Sequence, residues 1–263
     1  ISKSKKILLI SNIKKCKQLF KNKIIKKDEF LDVHTLPNKI LHLKGKNFIV
    51  DDKSCSIFYE NLIKSKFKII KREDPIYLLK AIKNKTEIKN MINAHILDGV
   101  ALTKFLFWIK KINKKKITEV EAAKKLENFR KLNKNFLYPS FDTIAGSGKN
   151  GAIVHYRAKK ESCLVINKRD IFLCDSGGQY KYGTTDVTRT ICFSKQKQNI
   201  KDVFTKVLKG HIAVATTDIN KQDTGKKIDR RARKFLNKSN LDYSHGTGHG
   251  VGFFLNVHEG PQS

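Results

Sequence analysis

Residues 141–193 combine short apolar runs with two glycine-bearing stretches, GSGKNG and SGGQYKYG, and this pattern restricts the fold more strongly than the rest of the chain. The runs AIVHYRA, CLVINK, IFLCDS and TRTICF are rich in β-branched and aromatic residues, which is typical of strands. Glycines between such runs predict tight turns, and strands joined by tight turns pair antiparallel. Because one face of such a sheet must be covered, we expect helices packed against it.

Helical patterns lie on both sides of this region. Apolar residues recur at three- and four-residue spacing over residues 88–109, which predicts one long amphipathic helix with Thr86 as its N-cap. Thr118 and Glu121 have the spacing of a capping box, which predicts a second helix ending near Leu132. Two further segments have helical periodicity: residues 201–216 and 225–237. Strands combined with such helices indicate an α+β layer fold.

The first 75 residues have a different pattern, with short apolar runs between polar breaks. The runs KKILLI, NKILHL, KNFIVD, CSIFYE and FKIIK have the composition of buried strands, and NLIKSKFK fits a helix between two of them. These features predict a small α/β domain that ends near Pro75. The chain is therefore expected to contain two domains, residues 1–75 and residues 76–263.

The net charge of +31 arises from 55 Lys and Arg residues against 24 Asp and Glu residues. Only eight of the basic residues are Arg, the side chain that binds phosphates and guanines through a planar fork. Lys is spread along the chain together with Ile and Asn, which favours a solvated surface over a nucleic-acid groove. We therefore expect no specific nucleic-acid partner.

Cysteine usage and the apolar runs bear on the cellular compartment. Five cysteines are scattered without a CxxC pair, which argues against a disulfide framework or a cysteine zinc site. This usage favours a reducing, cytoplasmic compartment. The sequence has no run of about 18 uninterrupted apolar residues, so it predicts no membrane-spanning helix.

Two aspartates stand at the ends of strand-like runs. Asp175 ends the run IFLCD, a turn with the sequence SGGQYKYG follows, and Asp186 lies in the returning run TTDVTRT. Carboxylates on adjacent antiparallel strands can face each other at about 5 Å. Without a partner they would repel each other, and the pKa of one would rise. A divalent cation between them would remove this cost, so the pair is a candidate metal site.

Four histidines are candidate imidazole ligands or site residues: His155 in VHYRA, His245 and His249 in SHGTGHGVG, and His258 in NVHEGP. Carboxylates combined with imidazole suit Mn²⁺, Co²⁺ or Zn²⁺. An HxxxH pair can also bind zinc from one helix face, although the glycines in this stretch oppose a helix. A single aspartate is more often a turn former, and a single histidine more often has a packing role. Four other histidines are set aside for that reason: His34, His42, His95 and His211.

With these residues the sequence resembles the aminopeptidase P family (Xaa-Pro aminopeptidases) of the pita-bread metallopeptidase superfamily. The matching stretches run in family order over residues 79–261: KAIKNKTEIKNMINAHILDGVAL, FDTIAGSGKNGAIVHYRA, LCDSGGQYKYGTTDVTRT, FTKVLKGHIAVAT and HGTGHGVGFFLNVHEGP. The resemblance implies an α+β pita-bread catalytic domain over residues 76–263, with an antiparallel sheet, flanking helices and an incomplete C-terminus. It also implies that residues 1–75 are the rear part of a small α/β, creatinase-like, non-catalytic domain.

The family holds two divalent metal ions, most often Mn²⁺, with two Asp, one His and two Glu; Zn²⁺ or Co²⁺ are the alternatives. Three of these ligands carry over by motif: Asp175, Asp186 and His249. The resemblance implies that three histidines line the substrate site, orient the peptide and stabilise the tetrahedral intermediate: His155, His245 and His258. It further implies a homodimer that releases the N-terminal residue from peptides with proline in second position.

The two glutamate ligands of the family lie downstream of HEGP, and the sequence ends at Ser263, before them. Glu259 belongs to HEGP and is not one of the two. The chain also begins at Ile1, without Met. We therefore expect a piece of a longer protein that binds metal weakly and is inactive by itself, whereas the longer protein is active.

Two other functions stay open at this point. A prolidase of the same fold would cleave only Xaa-Pro dipeptides, whereas an aminopeptidase P would cleave longer Xaa-Pro-Xaa peptides. A metal-free scaffold that binds nucleic acid would agree with the net charge of +31, but it would not need carboxylates that repel each other. Steeply salt-dependent DNA or RNA binding without peptidase activity would favour the scaffold.

Overall fold

The computed structural model describes residues 8–112, 116–221, 224–254 and 256–262. The chain divides into two units, Ile1–Tyr77 and Leu78–Ser263. The division lies close to Pro75, where the sequence changes from short apolar runs to long helical periodicity. The first three residues of the predicted strand KKILLI lie outside the described residues.

Two pairs of parallel strands form the sheets of the first unit. β1 (Leu9–Ser11) pairs with β2 (Phe30–Asp32), and β3 (Asn47–Val50) pairs with β4 (Lys68–Lys71). The helices of this unit are α1 (Ile13–Lys21), α2 (Leu36–Leu41), α3 (Ile57–Lys64) and the 3-10 helices Lys27–Glu29 and Val33–Thr35. Four buried apolar side chains form one core cluster: Ile40, Val50, Ile63 and Phe67. Parallel pairing across intervening helices agrees with the predicted small α/β domain.

Two of the strands predicted in this unit are helices instead. NKILHL falls mainly in α2, where Pro37 lies in the first turn, and CSIFYE falls mainly in α3. At the start of α3, the Ser56 side chain accepts a hydrogen bond from the Tyr59 backbone N–H and caps the helix. Short apolar runs fit one face of a helix as well as a strand, and here the residues that start a helix decide between them.

The long helices that the sequence predicts all lie after residue 84. Within the described residues, the helices from residue 75 onwards are α4 (Pro75–Ala81), α5 (Lys85–Lys111), α6 (Glu119–Lys131), α7 (Gln198–Ala215) and α8 (Gly225–Asn237). The capping box of Thr118 and Glu121 at the start of α6 is confirmed. The predicted cap Thr86 is wrong. Asn84 caps α5, because its side chain and that of Glu87 each accept a hydrogen bond from the other residue's backbone N–H.

The strands of the second unit pair antiparallel, as predicted. They are β5 (Phe136–Pro139), β6 (Ile144–Ser147), β7 (Ile171–Ser176), β8 (Gly178–Tyr180), β9 (Gly183–Thr184), β10 (Val187–Cys192), β11 (His249–Gly250) and β12 (Glu259–Gln262). β7 lies between β6 and β10, β8 lies between β5 and β9, and β11 pairs with β12.

Two of the predicted strands in this unit, AIVHYRA and CLVINK, are wrong. In the first segment Ala152 ends the 3-10 helix Gly148–Ala152, residues 153–155 form a bend and a turn, and residues 156–158 are irregular. In the second segment, which the structure describes fully, Val165 forms a single bridge to Thr118. The backbone here is organised by a buried carboxylate of α6, as described below, and not by a neighbouring strand.

The alternation along β7 decides which side chains reach the core. Phe172, Cys174 and Ser176 are buried, and Leu173 and Asp175 alternate with them at intermediate exposure. Phe172 and Cys174 pack into a cluster with apolar residues of α5 and α6. Since successive side chains of a strand point to opposite faces, Asp175 projects away from this core. Packing of Phe172 and Cys174 into the core therefore fixes the position of β7, the strand that carries Asp175.

Within the described residues, α5 is long and apolar enough to cross a membrane by length and composition alone. Core helices of soluble proteins pass the same test, so the finding is weak evidence for a membrane span. One face of α5 packs Leu102, Phe105 and Ile109 into the core cluster and carries the buried Asp98. Packing inside the unit therefore accounts for that face of α5.

Candidate metal centre

The hairpin of β7 and β10 brings Asp175 and Asp186 together. Thr188 is the cross-strand partner of Asp175, and its hydroxyl donates a hydrogen bond of 2.7 Å to Asp175 Oδ1. Asp186 lies directly before β10, so it is not in register with Asp175 as the sequence pattern suggested. The two carboxylates still interact. Burial and the nearby Asp175 carboxylate raise the pKa of Asp186 above its usual value, as expected for a crowded acidic pair.

His249 completes this group from β11. Its Nε2 lies 3.4 Å from Asp186 Oδ2, and both side chains are partly buried. Its Nδ1 lies 2.8 Å from the Gly250 carbonyl oxygen, which can only accept, so Nδ1 carries the proton. In the neutral ring the lone pair is therefore on Nε2, the atom that faces Asp186. A ring that binds a metal through Nε2 needs this tautomer.

The donor set fits a divalent cation, although it is not a ready cage. Within the residues that the structure describes, no group of three or more His, Cys, Asp or Glu side chains is placed to hold an ion as it stands. Asp175 is engaged by Thr188. However, two interacting carboxylates beside an imidazole suit Mn²⁺, Co²⁺ or Zn²⁺. The raised pKa of Asp186 means that burial and Asp175 disfavour its ionised form, and a bound cation would stabilise that form.

His258 and His155 continue the group on the other side of His249. The ring centroids of His249 and His258 are 4.0 Å apart, and those of His258 and His155 are 6.1 Å apart. Burial, together with His249 and His155, lowers the pKa of His258, so its neutral form predominates at neutral pH. His155 has a φ of 54°, a left-handed conformation that is uncommon for a residue with a Cβ. Three of the four predicted histidines thus form one row.

The fourth, His245, lies in a different set of contacts. Its ring stacks on the Tyr243 ring with a centroid distance of 4.6 Å, and its Nδ1 bonds to the Gly246 carbonyl oxygen. The side chain is exposed. His245 is linked to the metal candidates only through the sequence, since His249, the first residue of β11, follows four residues later.

Sequence reasoning missed His95, which it set aside as a packing residue. His95 lies on α5 and donates from Nδ1 to the Met91 carbonyl oxygen at 2.9 Å. It is close enough to Asp186 to lower the pKa of that carboxyl when charged. α5 reaches the site because Gly183 has no side chain. A Cβ added there would lie 2.9 Å from Ala94 Cβ. The spacing of residues along α5 does not show which part of the fold the helix face with His95 will contact.

A buried carboxylate anchors the loop that carries His155. Glu119 is fully buried at the start of α6, and four groups donate to it: the Ser147 N–H at 2.7 Å, the Leu164 N–H at 2.9 Å, the Tyr156 hydroxyl at 2.7 Å and the Asn150 side-chain amide at 3.1 Å. Burial and this carboxylate raise the pKa of Tyr156 to about 12. Because Tyr156 follows His155 directly, Glu119 fixes the backbone beside that histidine.

We expect Glu119→Gln to destabilise the 263-residue chain by about 1–3 kcal/mol, because an amide nitrogen would face buried donors. Urea unfolding measures the change. The matched control is Glu127→Gln on the same helix, whose surface pair with Lys131 is worth less than about 1 kcal/mol. An equal, small loss in both variants would contradict the anchoring role of Glu119.

Comparison with known proteins identifies the class to which this fold and site belong. Residues 89–263 match metallopeptidase family M24, so the chain belongs to that family. It is 50% identical over 197 residues to a probable Xaa-Pro aminopeptidase P of Paracoccidioides brasiliensis (strain Pb03). That match covers 74% of this chain and 32% of the relative, so the chain spans about a third of the length of such curated relatives.

Solved structures give the same result for the fold. The X-prolyl aminopeptidase of Caenorhabditis elegans, a cytosolic enzyme with a di-nuclear active site, matches with a TM-score of 0.78 at 32% identity, over 89% of this chain and 39% of that one. The prolidase of Pyrococcus horikoshii OT3 matches with a TM-score of 0.74 at 25% identity, over 97% of this chain and 71% of that one. The expected α+β pita-bread fold is confirmed.

Proposed function

We propose that this chain is the part of an Xaa-Pro aminopeptidase that carries Asp175, Asp186 and His249 as metal ligands. The observation that carries the proposal is the position of Asp186: its carboxylate lies 3.4 Å from His249 Nε2, and burial together with Asp175 raises its pKa. The relatives named probable Xaa-Pro aminopeptidase P support the substrate class, and the di-nuclear site of the C. elegans enzyme supports two metal ions. We propose Mn²⁺ as the metal on the family resemblance, with Zn²⁺ or Co²⁺ as alternatives, since carboxylate oxygens with one imidazole suit all three.

When bound, two divalent ions would supply Lewis acidity and lower the pKa of a water molecule toward neutrality. The chain's own residues have separate tasks. The metal ions would be bound by three side chains: Asp175, Asp186 and His249. His249 would bind through the lone pair on Nε2. His258 is neutral at neutral pH, so one ring nitrogen can donate a hydrogen bond to the carbonyl oxygen of the bond that is cleaved. His155 extends this row along the peptide.

Proline in second position removes one common means of recognition. Its nitrogen carries no N–H, so the enzyme cannot read the substrate through that amide proton. Recognition must therefore use the shape of the ring. His155 and His258, whose ring centroids are 6.1 Å apart, provide the polar side of such a pocket, and we propose His245 as a further substrate-site residue.

The described ligand set is smaller than the five that the family resemblance implies. We therefore expect residues 1–263 to bind Mn²⁺ weakly and to show no cleavage of an Xaa-Pro-Xaa peptide. A longer protein that adds two glutamate ligands should cleave it. The test compares metal content and peptide cleavage for both proteins in the presence of Mn²⁺. Full turnover by residues 1–263 would contradict this ligand assignment.

A prolidase activity is the second candidate, and the match to the P. horikoshii prolidase over 97% of this chain favours it. The two functions differ in substrate length. Cleavage of Xaa-Pro dipeptides alone would indicate a prolidase, whereas cleavage of longer peptides would indicate an aminopeptidase P.

We further propose that the protein works in the cytoplasm as a homodimer, without a nucleic-acid or membrane partner. Support for the compartment comes from the five cysteines, which are all free thiols. The excess of Lys over Arg supports the absence of specific nucleic-acid binding. The homodimer rests on the family resemblance.

A further inference from the structure

The guanidinium of one residue of α8 forms several hydrogen bonds with the loop between α8 and β11. Arg233 donates from Nε to Asp229 Oδ1 at 2.8 Å and from Nη1 to Asp242 Oδ1 at 2.7 Å. It also donates to two backbone carbonyl oxygens, those of Tyr243 and His245, each at 2.8 Å. The side chain is only 18% exposed. A single residue thus fixes the backbone on both sides of Ser244, directly at His245.

The same guanidinium is stacked on the aromatic ring that contacts His245. Arg233 Cζ lies 3.9 Å from the Tyr243 ring centroid, and the Tyr243 and His245 rings stack at 4.6 Å with an angle of 30°. Arginine stacks on aromatic faces because its guanidinium is planar and weakly hydrated. Arg233, Tyr243 and His245 therefore form a continuous stack, which we call the Arg233 stack.

Two hydroxyls link this stack to the segment before His249. Thr247 Oγ1 lies 2.5 Å from Asp229 Oδ1 and 2.5 Å from the Tyr243 hydroxyl. A carboxylate only accepts, so the Thr247 hydroxyl donates to Asp229 and the Tyr243 hydroxyl donates to Thr247. Asp229 accepts from both Arg233 and Thr247, which ties α8 to the chain two residues before His249.

We propose that Arg233 is a positioning residue that sets the orientation of the His245 ring and the course of the loop to His249. Its importance for catalysis rests on the proposed function, because His245 is placed in the substrate site only there. The side chain contributes a planar fork with several fixed donors as well as its charge. Lysine keeps the charge but has no plane to stack and no fork to span two carboxylates and two carbonyls.

The test uses the 263-residue chain with isotope-labelled histidines, observed by NMR. The His245 ring signal, identified by its loss in His245→Gln, is expected to be shifted by the ring current of Tyr243. In Arg233→Lys this signal should move to the position of a free exposed histidine, while the signals of His34 and His42, which belong to the first unit, stay in place. An unmoved His245 signal in Arg233→Lys would overturn the proposal.

The matched control is Arg231→Lys, two residues earlier on α8. Arg231 donates to the Ala213 carbonyl oxygen at the end of α7 and not to the loop. The Arg231→Lys variant should leave the His245 signal unchanged. An equal shift of this signal in Arg231→Lys and Arg233→Lys would overturn the proposal. If Arg233→Lys does not fold, Tyr243→Leu replaces it. In this variant too, the His245 ring signal should move to the position of a free exposed histidine. An unmoved signal would contradict the stacking of His245 in the Arg233 stack.

A kinetic arm separates this inference from the proposed function. In the longer protein, Arg233→Lys should lower kcat/KM by about tenfold or more with unchanged metal content, and Arg231→Lys should not. An active enzyme with unchanged kcat/KM in Arg233→Lys would overturn the positioning role. A wild-type protein without peptidase activity would instead contradict the proposed function, while the NMR result would still decide whether Arg233 orients His245.

Discussion

Asp175→Asn in the longer, active protein is expected to lower Xaa-Pro cleavage by more than about 100-fold and to reduce the bound metal. Asparagine has nearly the same size as aspartate and can keep the hydrogen bond from Thr188. It lacks the negative charge that would bind a divalent cation. Changes to groups that only support metal ligands already cost about 10- to 100-fold, so loss of a ligand should cost more.

The measurement combines peptide cleavage with metal analysis of the purified variant. Asp202→Asn is the matched control, because Asp202 lies on the exposed side of α7 and accepts a hydrogen bond from Gln198. Both variants should have the circular dichroism spectrum of the wild type. Unchanged cleavage in Asp175→Asn would remove Asp175 from the metal site.

Arg130→Met is expected to cost about 3–5 kcal/mol of unfolding free energy, the largest stability effect that we predict. Arg130 of α6 and Asp98 of α5 are 1% and 0% exposed, and they form two hydrogen bonds of 2.6 and 3.0 Å. Asp98 also accepts from the Tyr180 hydroxyl, and Arg130 also donates to Ser176 Oγ. Removal of Arg130 leaves a buried carboxylate without its counter-charge.

Urea unfolding of the 263-residue chain measures this effect, and Lys131→Met is the neighbouring control. Lys131 forms an exposed pair with Glu127, so its loss should cost less than about 1 kcal/mol. The loss in Arg130→Met should be partly recovered by the additional change Asp98→Leu, because the stranded charge is then removed. A loss in Arg130→Met no larger than in Lys131→Met would contradict the role of the pair.

The long helices could be predicted because their periodicity extends over many residues. The capping box at Thr118 also has a local signal, and both predictions are confirmed. The strands predicted within residues 152–168 are wrong because a distant residue decides that backbone. Glu119 accepts hydrogen bonds from Tyr156 and Leu164, and no local pattern in these runs indicates a buried carboxylate partner. Short runs in the first unit were ambiguous for a different reason, since their apolar residues fit either a helix face or a strand.

The candidate site could be predicted only in part. Asp175 and Asp186 were chosen from strand ends and a glycine turn. The pKa of Asp186 is raised, but burial contributes more to this rise than the neighbouring Asp175, and burial was not predicted. The offset in register, with Thr188 opposite Asp175, depends on where β10 begins and was not predicted. His95 and Arg233 were not predicted because the contacts that bring them to the site, with Asp186 and with the backbone at Tyr243 and His245, lie outside their own helices. Residue type and spacing do not record such contacts.

The metal site itself can be located by anomalous X-ray diffraction near the manganese absorption edge, with crystals of the longer protein grown in Mn²⁺. We expect anomalous peaks between the side chains of Asp175, Asp186 and His249. Cleavage of an Xaa-Pro-Xaa peptide by the same preparation should depend on the metal. An active enzyme with no anomalous peak at these three side chains, or with its metal at other residues, would contradict the ligand assignment.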